Sequence, residues 1–179
     1  SILNFPKHKT LNIHPSLLPH FRGASPIQSA ILADEKDTGV SIMILDEEMD
    51  HGPILGQKKY SVKEWPTAEE LELELAKLGA ELLAEIIPQW VARKISATPQ
   101  DHSKATFTKK ITKEDGLIDL ADDPYLNFRK IQAFAGWPDT YFFAKEKRVV
   151  IKKAHYTAGQ LEILRVIPEG KKEIDFSDL

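Results

Sequence analysis

The chain has 179 residues, of which 42% are hydrophobic and 28% charged, with a formal net charge of −3; this suits one large or two small globular domains and offers no overall attraction for nucleic acid, so a polyanion site has to be a local patch. The sequence contains no cysteine, which excludes a disulfide framework, thiolate catalysis and thiolate zinc sites. With no apolar run long enough to span a membrane and no secretory pattern in residues 1–10, the expectation is a cytoplasmic protein with no membrane partner.

Residues 10–14 read as a buried strand. Alternate strand residues face the same way, so Asn12 and His14 project side by side while Ile13 turns into a core. A carboxamide can stabilise a developing oxyanion, and an imidazole can move a proton near neutrality. That pairing suits acyl-group chemistry, although a lone His beside an Asn is also a common core arrangement. Residues 15–25 form a loop rich in Pro and Gly, and Pro26 opens a short helix through Ala33.

Gly39–Asp46 and Ile54–Tyr60 read as strands flanking an acidic loop that carries Asp50. Asp is a frequent turn residue. From this loop, however, its carboxylate can fold back towards Asn12 and His14. Thr67 and Glu70 make a capping box before Leu71, Leu75, Leu78, Leu82 and Leu83 at helical spacing, and Pro88 is expected to end or kink that helix. The spacing of His14, His20 and His51 matches no zinc signature, so no metal is expected.

Residues 96–106 are polar and rich in turn formers, and read as a linker between a domain over 1–95 and a second over 107–179. In the second, Asp122-Asp123-Pro124 caps a helix carrying Leu126, Phe128, Ile131 and Phe134. Short strands follow at 141–143, 148–153 and 160–166, which suggests a small β-barrel with one helix. Trp137 reads as a packing anchor between helix and barrel, with base stacking as the alternative. Lys145, Lys147, Arg148, Lys152 and Lys153 form a basic cluster, either a solvated face or a path for a phosphate backbone; alternation puts Lys145, Lys147 and Lys153 on one face.

The strings NIHPSLLP, RGASPIQ and GVSIMILDEEMDHGPIL resemble the catalytic domain of the 10-formyltetrahydrofolate-dependent formyltransferases. The segments around residues 106–119 and 128–143 resemble the C-terminal domain of those family members that act on methionyl-tRNA. The resemblance implies an α/β fold: the second half of a Rossmann-like catalytic domain, followed by an OB-like barrel. It implies Asn12, His14 and Asp50 as catalytic residues, and Ser16, Leu17, Leu18 and Pro19 as the wall of the folate site. It further implies 10-formyltetrahydrofolate as formyl donor and initiator methionyl-tRNA as acceptor. Transfer to glycinamide ribonucleotide or an amino sugar, or an inactive binding remnant, are the alternatives. Family members carry a nucleotide-binding-like βα half before this point, so the chain is expected to be a fragment with little activity alone.

Overall fold

The computed structural model describes Leu3 and residues 5–179. The chain divides into two compact units. The first holds residues up to Ala30, Glu35–Glu64 and Glu70–Lys110; the second holds Ile31–Asp34, Trp65–Glu69 and Ile111–Leu179.

The first unit is built on a three-stranded antiparallel sheet, β1 (Leu11–His14), β2 (Asp37–Ile44) and β3 (Ile54–Ser61), with β2 in the centre. β2 is buried along nearly its whole length, as its run of small and branched residues requires of a strand covered on both faces. The register pairs Asn12 with Met43, Ile13 with Ile42 and His14 with Ser41. Asn12, His14, Ser41 and Met43 therefore share one face, and Ile13, Val40 and Ile42 the other.

Helix α2 (Ala68–Val91) covers that second face. Two glycines allow the close approach. A Cβ on Gly79 would lie 2.7 Å from Ile13 Cγ2, and one on Gly56 would lie 2.6 Å from Ile86 Cδ1. Leu71, Leu75, Leu82 and Ile86 are buried along the helix, at the spacing the sequence displays. Pro88 neither ends the helix nor shortens it before Val91. It lies in the last turn, where only one intrahelical bond is lost, and its own carbonyl accepts from the N–H of Ala92 at 3.1 Å. Ile13 corrects an expectation: it does turn towards α2, but it stays 39% exposed because β1 is the edge of the sheet.

Helix α1 (Pro26–Ala33) begins at Pro26, as its missing N–H predisposes. The polar stretch 96–106 is no free tether. Thr98 and Ile54 exchange backbone hydrogen bonds at 2.8 Å, Gln100 is buried, and Arg22 exchanges backbone bonds with Thr106 and Thr108.

The second unit contains α3 (Pro124–Ala133) and an antiparallel sheet in the order β4 (Thr140–Ala144), β5 (Lys147–Thr157), β6 (Gln160–Pro168) and β7 (Ile174–Asp175). Asp123 caps α3 through its side chain, accepting from the N–H of Leu126 at 2.7 Å. Two tight hairpin turns, Lys145-Glu146 and Ala158-Gly159, place both central residues at positive φ. The core consists of Ile118, Ile131, Phe142, Val149, Ile151, Ala154 and Val166. Among the described residues no ladder joins β7 to β4, so where a small OB-like barrel was expected the sheet is an antiparallel meander whose ends are not joined. Trp137 is another correction: expected to anchor the packing, it is 52% exposed, whereas its neighbours Phe134 and Pro138 are buried.

Candidate active site

β1 places Asn12 and His14 on the face opposite α2. The carboxamide of Asn12 has no hydrogen-bond partner among the described residues, so both its donors remain available to a ligand. His14 is buried. Its Nε2–H donates to the Phe21 carbonyl at 3.0 Å, which leaves Nδ1 facing the Asp50 carboxylate at 3.7 Å. That distance allows an ion pair with a protonated ring but is too long for a hydrogen bond.

Asp50 reaches this position from the loop between β2 and β3. Its φ is +50°, a left-handed conformation that Asp adopts more readily than most residues. Its other carboxylate oxygen accepts from the Gly23 N–H at 2.8 Å. Gly23 has a φ of +112°, and a Cβ there would lie 2.7 Å from Thr108 Oγ1. Only glycine fits that donor position. The loop thus brings Asp50 to His14, which shares a strand face with Asn12, while the Phe21 carbonyl holds the far side of the ring and the Gly23 N–H the far oxygen of the carboxylate.

The loop Ser16–Pro19 is tied to the same face of the sheet. Ser41 Oγ donates to the Ser16 carbonyl at 2.6 Å and accepts from the N–H of Leu18 at 3.0 Å. Gln57 Nε2 donates to the Leu18 carbonyl at 2.9 Å and to Ser41 Oγ at 2.8 Å. Ser16 is fully buried, its hydroxyl donating to the His20 carbonyl at 2.6 Å, and Leu18 is buried as well. Leu17 and Pro19 keep half-exposed surface. Leu18 and Pro19 also border a cavity of about 380 Å³, with Gly56, Gln57, Pro99 and Gln100 among its other lining residues.

Sequence reasoning missed a buried network behind Asp50. Gln100 Nε2 donates to the carbonyls of Asp50 and Gly52 at 2.9 and 2.7 Å. Its Oε1 accepts from Arg22 Nε and Nη2 at 3.2 and 2.7 Å. Arg22 Nη2 also donates to His102 Nδ1 at 2.9 Å, which makes that nitrogen an acceptor. His102 stacks on His51 with ring centroids 4.0 Å apart, and His51 Nδ1 donates to Asp46 at 2.7 Å. Burial works to raise the Asp46 carboxyl, but the hydrogen bonds from His51 and the Glu48 N–H, with the charges of His51 and Arg22, hold it below its ordinary value. Arg22 lay inside a string noted for its resemblance, whereas Gln100, in a polar stretch, carried no signal.

The basic cluster of the second unit is not gathered on one face. Lys145 sits in the hairpin turn, and Lys147 begins the row that continues as Val149 and Ile151. Arg148 and Lys152 lie on the opposite row. The Arg148 guanidinium sits 4.1 Å from the centre of the Tyr141 ring, and Lys152 pairs with Asp139 at 2.9 Å. An irregularity at Ile151–Ala154 shifts the register and sets Lys153 opposite Arg165. The bulge breaks the alternation on which the expected shared face depended.

The formyl transferase family model matches residues 1–87, and that of the formyl transferase C-terminal domain matches residues 110–160. The chain belongs to the formyl transferase family. Among curated relatives, a methionyl-tRNA formyltransferase of Chloroflexus aurantiacus is 44% identical over 86% of this chain and 50% of its own length. One from Thermodesulfovibrio yellowstonii is 38% identical over 96% of this chain and 62% of its own. The chain thus spans about half the length of the first of these relatives. In fold it resembles HypX from Aquifex aeolicus, solved in complex with tetrahydrofolic acid, with a TM-score of 0.75 at 18% identity over 94% of this chain and 34% of that one. It also resembles the methionyl-tRNA formyltransferase from Clostridium thermocellum, with a TM-score of 0.68 at 21% identity over 92% of this chain and 68% of that one.

Proposed function

We propose that this chain provides the catalytic residues for transfer of a formyl group from 10-formyltetrahydrofolate to the amino group of initiator methionyl-tRNA. The observation that carries the reading is Asn12 and His14 on one strand face, with His14 Nδ1 3.7 Å from the Asp50 carboxylate and the Asn12 amide without a partner among the described residues. As the acceptor amine attacks the formyl carbon, negative charge gathers on the formyl oxygen. The Asn12 amide donates a hydrogen bond to that oxygen. His14 is held by the Phe21 carbonyl, so Nδ1 is the ring nitrogen that turns towards the reacting groups. His14 and Asp50 take the proton released by the amine, and the intermediate then collapses with cleavage of the bond between the formyl carbon and N10, that proton passing to N10 as tetrahydrofolate leaves.

The half-exposed Leu17 and Pro19 and the unpartnered Asn12 amide fit a flat heterocycle lying against this face. Methionyl-tRNA as acceptor is supported by the names of the relatives at 38–44% identity. Lys145, Lys147, Arg148, Lys152 and Lys153 supply the phosphate contacts in this reading, with Lys152 giving up Asp139 to do so.

The test is formylation of methionyl-tRNA by the full protein that contains this chain, together with tRNA affinity measured against salt. Neutralising several of the five cations should weaken tRNA binding and flatten its salt dependence. Unchanged slopes would return the cluster to a solvated face. Preferential formylation of glycinamide ribonucleotide or an amino sugar would move the acceptor away from tRNA.

A further inference from the structure

We infer that Gln100, held by Arg22, is a positioning residue that fixes the Asp50 carboxylate between Gly23 and His14. The consequence for catalysis rests on the reading of Asp50 and His14 given above; the positioning itself does not.

Asp50 sits at a backbone conformation that does not hold itself. Its φ of +50° is disfavoured for a residue with a Cβ. Two residues on, Gly52 lies directly against the Ile44 carbonyl, where a side chain has no room. A loop strained at one point and tightly placed at another needs an external hold. Gln100 supplies it from a segment about 50 residues away, with one amide nitrogen donating to the carbonyls of Asp50 and Gly52.

Arg22 then orients the amide. A carboxamide can turn its oxygen or its nitrogen towards the loop. Arginine only donates, so the two guanidinium bonds to Oε1 fix the oxygen on the Arg22 side and the NH₂ on the loop side. Arg22 is itself fixed by backbone bonds to Thr106 and Thr108 and by a bond to His102. Arg22 and Gln100 are 3% and 6% exposed, so water does not compete for these bonds. The neighbours of Arg22 complete the arrangement: the Phe21 carbonyl accepts from His14, and the Gly23 N–H donates to Asp50. One tripeptide and one glutamine thereby set both ends of the His14–Asp50 approach.

The Gly23 amide is a direct reporter, since its proton is bonded to Asp50 Oδ2 at 2.8 Å. Amide proton shifts and hydrogen exchange should be recorded by NMR on the full 179-residue chain. Asp50→Ala defines the fully released state. Gln100→Leu is expected to move the Gly23 amide shift towards that of Asp50→Ala and to speed its exchange by about tenfold, as two hydrogen bonds of ordinary strength imply. Gln100→Glu keeps an acceptor for Arg22 but loses both donors to the loop, and should act in the same direction; it also answers the question if Gln100→Leu does not fold. Leu82→Val, a core change on α2, should leave the Gly23 shift at its wild-type position. A wild-type Gly23 shift and exchange rate in the folded Gln100 variants overturns the inference. Because this readout needs neither folate nor turnover, it stands or falls apart from the formyl-transfer reading. In a protein that does transfer formyl groups, the same Gln100 variants should lower kcat with little change in the folate KM, and a rise in KM alone would count against positioning.

Discussion

The first unit buries His14, Ser16, Arg22, Ser41 and Gln100, each tied by hydrogen bonds to backbone or to another buried side chain, whereas the second closes over Ile118, Ile131, Phe142, Val149, Ile151 and Val166. The second unit also buries Asn127 and Thr140, but these only fasten α3, Asn127 donating to the Asp119 carbonyl and Thr140 of β4 donating to the Lys130 carbonyl of the helix. Polar groups are costly to bury and their bonds are directional. Beside the apolar residues of α2 and of the sheet face it covers, such as Val40, Ile42, Leu71 and Leu75, these buried bonds hold particular atoms at particular distances, as a chemical site requires. An apolar core fixes shape and stability, and leaves the charges of its sheet at the surface.

The largest effect that would sharpen this contrast is on stability. Phe142→Ala should cost about 3–5 kcal/mol in the second unit, measured by urea denaturation, because it removes a buried ring that meets Phe176 edge-on. The Gly23 amide in the first unit should not shift. Next is a functional effect with little change in folding. Asn12→Ala in the full protein should lower kcat roughly a hundredfold to a thousandfold, about 3–4 kcal/mol, with the folate KM little changed. Since no group among the described residues depends on the Asn12 amide, a large loss of stability instead would recast Asn12 as structural.

Ser41→Ala should cost about 1–3 kcal/mol by urea denaturation, since it strands the Leu18 N–H and the Ser16 carbonyl in a buried place. A neutral result would mean the Ser16–Pro19 loop is held by packing alone. The smallest effect concerns pH. Asp46 has a depressed folded value, so its contribution is complete above its unfolded value and is lost as pH falls through the lower folded one. Asp46→Asn should therefore lower stability modestly at neutral pH, where the contribution is complete, and flatten the acid side of a stability-against-pH curve. An unaltered acid limb would remove Asp46 and His51 from the site's electrostatics.

Much of the fold was legible because local patterns agree with the final structure. Pro26 opens α1, Asp123 caps α3, and the leucines of α2 repeat at the helical period. The pairing of Asn12 with His14 follows from strand alternation, which is itself a local property. Where alternation failed, as in the basic cluster, a β-bulge had shifted the register. Such a bulge is set by the partner strand and leaves little trace in the residues themselves.

By itself the sequence determined most of the elements, the shared strand face of Asn12 and His14 and the presence of an acidic residue in the loop after β2. Only the tertiary structure decided that Asp50 turns inward to 3.7 Å from His14 and that the Gly23 N–H donates to its other carboxylate oxygen. It alone made Gln100, in a stretch that reads as linker, a buried support of the site, and it alone left Ile13 and Trp137 partly in water. Local periodicity determines which face a side chain takes within its own element. Whether another segment covers that face, and with which atoms, depends on contacts between residues tens of positions apart, which no local pattern encodes.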